Sequence, residues 1–137
     1  PIVFVQHMGH PGHPLEPGTP GWPLHPSLTP QTDEPIIQKT TPDSFYKTNL
    51  RSILEQRGIR RLVVTGIQTD LCIDTTCRRA ASFDYDVWLV ADAHSTWDNS
   101  VLKAAQIIAH HNAVLKGWFV SPILTDEVDF TTIGQRT

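Results

Sequence analysis

The stretch Thr65-Gly-Ile-Gln-Thr-Asp-Leu-Cys-Ile-Asp-Thr-Thr-Cys-Arg-Arg-Ala-Ala81 constrains the fold more than any other part of this chain. An apolar run, Leu62-Val63-Val64, feeds into it, and a segment of helical period leaves it. Ile73, Thr76, Cys77, Ala80 and Ala81 fall at i, i+3, i+4, i+7 and i+8, one face of a helix. Cys72 therefore sits where strand gives way to helix. A thiol there faces unpaired backbone N–H groups and the positive end of a helix dipole, and both favour thiolate. The same N–H groups can hold a developing oxyanion. Such a position suits a nucleophile; the other reading is a small buried hydrophobe, as for most free cysteines.

On either side of this stretch, strands alternate with amphipathic helices. Pro1-Ile-Val-Phe-Val5 is a short apolar run that predicts a strand buried on both faces. Residues 7–35 hold eight of the eleven prolines and four of the eight glycines, which predicts a long loop with Trp22 as its hydrophobic anchor. A loop of that length inside a compact domain is usually functional. Glu34–Lys39 reads as a second strand with Lys39 at its exit. Thr41 and Pro42 look like a helix start, with Tyr46, Leu50, Ile53, Leu54 and Arg57 as the apolar-facing stripe and Gly58 as the stop. Ile59–Thr65 and Asp86–Asp92 give the third and fourth strands. Asp98 can cap a helix with a buried stripe of Val101, Ala105, Ile108, Ala109 and Asn112, and a last strand and tail follow within residues 114–128.

This alternation implies right-handed βαβ units and an α/β fold with a mainly parallel sheet covered on both faces. Ligands bind such sheets at the carboxyl ends of the strands, where Lys39, Cys72 and Asp92 all fall. Lys39 is then the expected cation beside a Cys72 thiolate. Asp70 is expected in helix-start hydrogen bonds, and Arg60-Arg61 and Arg78-Arg79 on solvated faces or subunit contacts. His7, His10 and His13 are spaced by three without a carboxylate among them, so the loop is read as carrying incidental histidines, with no metal and no cofactor.

Charge excludes other classes. With 11 basic and 14 acidic residues interspersed, no nucleic-acid patch stands out. No apolar run approaches the roughly 18 residues of a membrane span, and no signal peptide is visible. Two cysteines do not make a disulfide scaffold, and Cys72 and Cys77 point in different directions on one helix. A cytoplasmic setting is the default expectation, with a small-molecule substrate as partner.

With these residues in view, the chain resembles the isochorismatase-like cysteine hydrolases, relatives of nicotinamidases and N-carbamoyl amidohydrolases. Val64–Ala80 is similar to that family's TG(V/I)-x-T-x-x-C-V-x-x-T-x-R-x-A signature. Lys39 with Ser44-Phe45 and Thr48-x-Leu50, and Tyr85–Ala93, extend the likeness from Pro1 to about Pro122. The resemblance implies a single three-layer α/β/α domain over residues 1–137 that hydrolyses a C–N bond in a small amide, carbamoyl compound or ureide through a thioester. It implies Cys72 as nucleophile, Lys39 as the cation that steadies it, a cis peptide at Ile67-Gln68, and an oxyanion held by the N–H groups of Gln68 and Cys72. It also suggests a homo-oligomer, with His7, Trp22 and Trp97 shaping the substrate pocket. The family's third catalytic residue is an aspartate in a D-x-Q strand, and nothing in this sequence matches it. Since that strand is central in the family's sheet, a gap between neighbouring strands is expected, and a partial sequence is expected over a natural protein without its acid/base. A binding or assembly protein on the same fold is the rival reading.

Overall fold

The structure, a computed structural model, describes residues 1–133. Five strands and four helices follow in the order β1 (Phe4–His7), β2 (Ile36–Lys39), α1 (Leu50–Gln56), β3 (Arg61–Ile67), α2 (Asp74–Ser82), β4 (Asp86–Ser95), α3 (Ala104–Leu115), β5 (Ser121–Ile123) and α4 (Phe130–Ile133). All strand pairings are parallel, as the alternation predicts, but they fall into two sheets, β1-β2 and β3-β4-β5. Because β1 is paired on one side only, Val5 stays 38% exposed, and the strand is not buried on both faces as its apolar run predicts.

Period-two alternation separates the two faces of the larger sheet. Leu62, Val64, Val87 and Leu89 point into the main core, where they meet Leu50 and Leu54 of α1, Cys77 and Ala80 of α2, and Leu115 of α3. Val63, Trp88 and Val90 point the other way, into a smaller cluster with Ile123 and Val128. Ile37 of β2 enters the main core, so the two sheets share it although no strand pairing joins them.

Two helices depart from their expected form. Helix α1 begins at Leu50, nine residues after Thr41, because residues 41–44 spend their polar groups on other partners: the Thr41 and Pro42 carbonyls bind Lys39, and Asp43 Oδ1 accepts the Phe45 N–H at 2.8 Å. Leu50 and Leu54 are buried as predicted, whereas Tyr46 is exposed outside the helix. Gly58 takes φ +65° and ends the helix, with the Ile59 N–H returning to the Leu54 carbonyl. Helix α3 starts at Ala104, and its buried residues are Ile107 and Leu115, so the expected stripe is out of phase and Val101 is 82% exposed. Asp98 still caps it: Oδ1 accepts the Ala104 N–H at 2.8 Å.

The long loop is held by turns and close packing. A Cβ on Gly9 would meet the His13 ring at 2.5 Å, and the Trp22 carbonyl accepts Gln6 Nε2 at 3.0 Å. Among the described residues, no helix is long and apolar enough to cross a membrane.

Candidate active site

The site forms at the carboxyl ends of β2 and β3. Gly66, at φ +124°, lets β3 leave its regular register and lead into a cis peptide bond at Ile67-Gln68, the expected position. A π-helical turn, Thr69–Ile73, follows and continues into α2. It presents Cys72 half-buried beside Lys39, whose Nζ lies 3.0 Å from Sγ.

Lys39 is not the solvated surface cation that a lone lysine usually is; it is 5% exposed. Its other two donor directions go to the carbonyls of Thr41 and Pro42, each at 2.9 Å. An ammonium has three N–H donors and no acceptor, so two carbonyls and one sulfur saturate it and leave the sulfur as acceptor. That is the arrangement a thiolate needs. Cys77 is its opposite: fully buried, with a thiol pushed up to about 12 chiefly by desolvation. The two cysteines of one sequence motif therefore have different chemistry.

The loop that binds Lys39 is stapled to α2. Ser44 Oγ and Thr76 Oγ1 are 2.8 Å apart, Thr76 Oγ1 donates to the Pro42 carbonyl at 3.3 Å, and Arg79 Nε donates to Asp43 Oδ2 at 2.8 Å. Arg79 is thus an anchor for the lysine loop while remaining on a solvated face as expected, and Arg78 pairs with Asp74 at 3.0 Å. Asp70 makes no helix-start bond of the kind expected; its Oδ1 accepts the Thr96 hydroxyl at 2.6 Å. Asp92, expected at a strand end, lies within β4, which runs on to Ser95; it accepts from the Thr125 N–H and hydroxyl, both at 2.9 Å, which hold its carboxyl below the usual range.

His7 is paired in register with Lys39, so both side chains leave the sheet on the same face. Burial, then the Lys39 charge and then His13 hold its imidazole below the ordinary histidine value, and its Nδ1 is buried without a hydrogen-bond partner. Trp22 Nε1 is likewise buried and unpartnered. Trp97 follows Thr96 but is 62% exposed. His7, His10 and His13 do gather, with ring centroids 5.8 and 5.3 Å apart. Yet His10 Nδ1 is bonded to the Pro11 carbonyl and His13 Nδ1 accepts the Leu15 N–H, and no group among the described residues could hold a metal ion.

The isochorismatase domain, as a family description, matches residues 1–115. The chain belongs to the isochorismatase family. It is 32% identical over 132 residues to the uncharacterized isochorismatase family protein YddQ of Bacillus subtilis, covering 92% of this chain and 73% of that one. It is 39% identical over 79 residues to the ureidoacrylate amidohydrolase RutB of Caulobacter vibrioides, covering 57% of this chain and 35% of that one. The crystal structure of an isochorismatase from Pseudomonas putida superposes with a TM-score of 0.90 at 32% identity, covering 94% of this chain and 69% of that one. The chain is thus shorter than the relatives it matches, spanning about a third of RutB. Within the isochorismatase fold, the residues at the site to which sequence reasoning gave no such role are Asp43, Thr76 and Arg79. Each acts through a partner remote in sequence, which no local pattern reveals.

Proposed function

We propose that this isochorismatase-family chain carries the nucleophile and its cation for a cysteine hydrolase that cleaves the C–N bond of a small amide, carbamoyl compound or ureide. The observation that carries the reading is the 3.0 Å contact of Cys72 Sγ with a buried, saturated Lys39 ammonium. In this mechanism, the thiolate attacks the carbonyl carbon and the developing oxyanion is met by the Gln68 and Cys72 N–H groups. Collapse breaks the C–N bond as the leaving nitrogen takes a proton from solvent water, and a second water then hydrolyses the thioester, releasing the acid, the thiolate and that proton back to solvent. The partners of Lys39 are two carbonyls and the thiol, none of them a carboxylate, and the family's D-x-Q aspartate has no match in the sequence. The reading assigns His7, Trp22 and Trp97 to the substrate pocket; His7 Nδ1 and Trp22 Nε1 are buried without a hydrogen-bond partner and would be its polar handles. The hydrolase reading is supported by the family membership and by similarity to an enzyme named as a ureidoacrylate amidohydrolase.

The test is ammonia release from a panel of small primary amides, carbamoyl amino acids and ureides, read for the protein and for Cys72→Ala. The expected result is turnover of at least one class and its loss in the variant, by about a thousandfold or more. Turnover that survives Cys72→Ala would overturn the covalent mechanism.

A further inference from the structure

At the end of β4 the chain does something that its hydrophobic pattern does not announce. The β3-β4 register runs evenly from Arg61↔Asp86 to Val64↔Leu89, then jumps, so that Gly66 pairs with His94 and Ile67 with Ser95. The bulge lies on β4, and it swings His94 across to the nucleophile turn. There His94 Nδ1 lies 2.9 Å from Thr69 Oγ1, and Nε2 lies 2.9 Å from Asn112 Oδ1 on α3. Asn112 Nδ2 donates to the Ala91 carbonyl at 3.0 Å.

The direction at one end of this chain follows from its last member. Asn112 uses its amide N–H on Ala91, so its oxygen faces His94 and must accept. His94 Nε2 therefore donates, and Nδ1 pairs with the Thr69 hydroxyl, which can either donate or accept. Every member has a partner of the right kind. Thr69 is fully buried and His94 is 5% exposed, so the bond between them is shielded from water.

We propose that Thr69, His94 and Asn112 form a positioning strut that ties the nucleophile turn to β4 and α3. The strut holds Cys72 Sγ in line with Lys39 Nζ; this rests on the reading of Cys72 as the nucleophile. Thr69 opens the π-helical turn three residues before Cys72, and the carbonyl of the preceding Gln68 accepts the N–H groups of Leu71 and Ile73 at 3.3 and 3.0 Å. Fixing Thr69 thus fixes the turn from which the thiol projects. The Lys39 side is tied through Ser44 and Asp43 to Thr76 and Arg79 of α2, the helix that continues the turn, so the strut fixes the start of the turn and these bonds fix the helix that follows it. These three are positioning residues and touch no reacting atom.

The experiment follows iodoacetamide labelling of the two cysteines by peptide mass spectrometry at neutral pH, in the protein and in Thr69→Val, Thr69→Ser, His94→Gln and Asn112→Leu. Buried Cys77 is the internal gauge of folding. The expected result is Cys72 labelled fast in the parent, about tenfold slower in Thr69→Val, His94→Gln and Asn112→Leu, and restored in Thr69→Ser, with Cys77 protected throughout. A parent in which Cys72 labels no faster than an unstructured cysteine peptide overturns the nucleophile reading itself. A reactive parent whose Cys77-protected variants all match it overturns the strut alone. If all three disruptive variants expose Cys77, the three residues hold the fold and not the thiol, and the strut is overturned as well.

Discussion

At the scale of single residues, Lys39 decides the chemistry of the site. A lysine that is 5% exposed must satisfy three donors, and here a thiol sulfur is one of the three acceptors. Lys39→Met removes the charge while keeping much of the stem. Iodoacetamide labelling of Cys72 at neutral pH is expected to slow by tenfold or more, with Cys77 still protected; equal labelling before and after would remove Lys39 from the mechanism. His7 supplies a pH prediction. Its folded value lies below the ordinary 6.5, so the unfolded chain takes up the proton first as pH falls. Stability is therefore intact above 6.5, declines as pH drops through it, and levels off below the lower folded value. Histidine ring NMR is expected to show His7 still neutral at a pH where exposed histidines are already charged, and His7→Phe is expected to flatten that part of the stability–pH curve.

At the scale of elements, the connections carry the strain and the anchoring. Asp84, between α2 and β4, has φ +63°, a conformation a glycine adopts without a Cβ penalty. Asp84→Gly is expected to stabilise the fold by about 0.5–1 kcal/mol in urea denaturation, since its place just after the helix is where a left-handed cap belongs. The segment between β2 and α1 behaves in the opposite way, because its side chains are committed. Asp43 accepts both the Phe45 N–H and the Arg79 guanidinium, so Asp43→Ala leaves two donors short. The expected cost is about 1–3 kcal/mol. Cys72 labelling is expected to slow alongside, because the same loop lends its carbonyls to Lys39. A loss of stability with unchanged labelling would separate the anchor from the site.

At the scale of the molecule, one core couples the two sheets, and its deepest residues bear the stability. Leu89 is fully buried on β4 between the helices and the sheet, and Leu89→Ala is expected to cost about 3–5 kcal/mol by denaturant titration, with Cys77 becoming reactive as the core opens. What the sequence determined by itself was everything carried by local order. Apolar periods placed the strands and α2, Gly58 stopped α1, and the Thr65–Ala81 motif located Cys72, with Lys39 at the end of the preceding strand. Helix phase was less legible: α3 came out in a different phase, and α1 began late because the polar groups of residues 41–44 are committed to Lys39 and Phe45, close in sequence but outside any helical pattern. Only the tertiary structure decided how the site is held. Asp43 meets Arg79 across 36 residues, and Thr69 meets His94 across 25, through a bulge that no period-two pattern marks. Hydrogen bonds of that reach depend on where two elements pack, and packing is a property of the assembled core, not of any one stretch of chain.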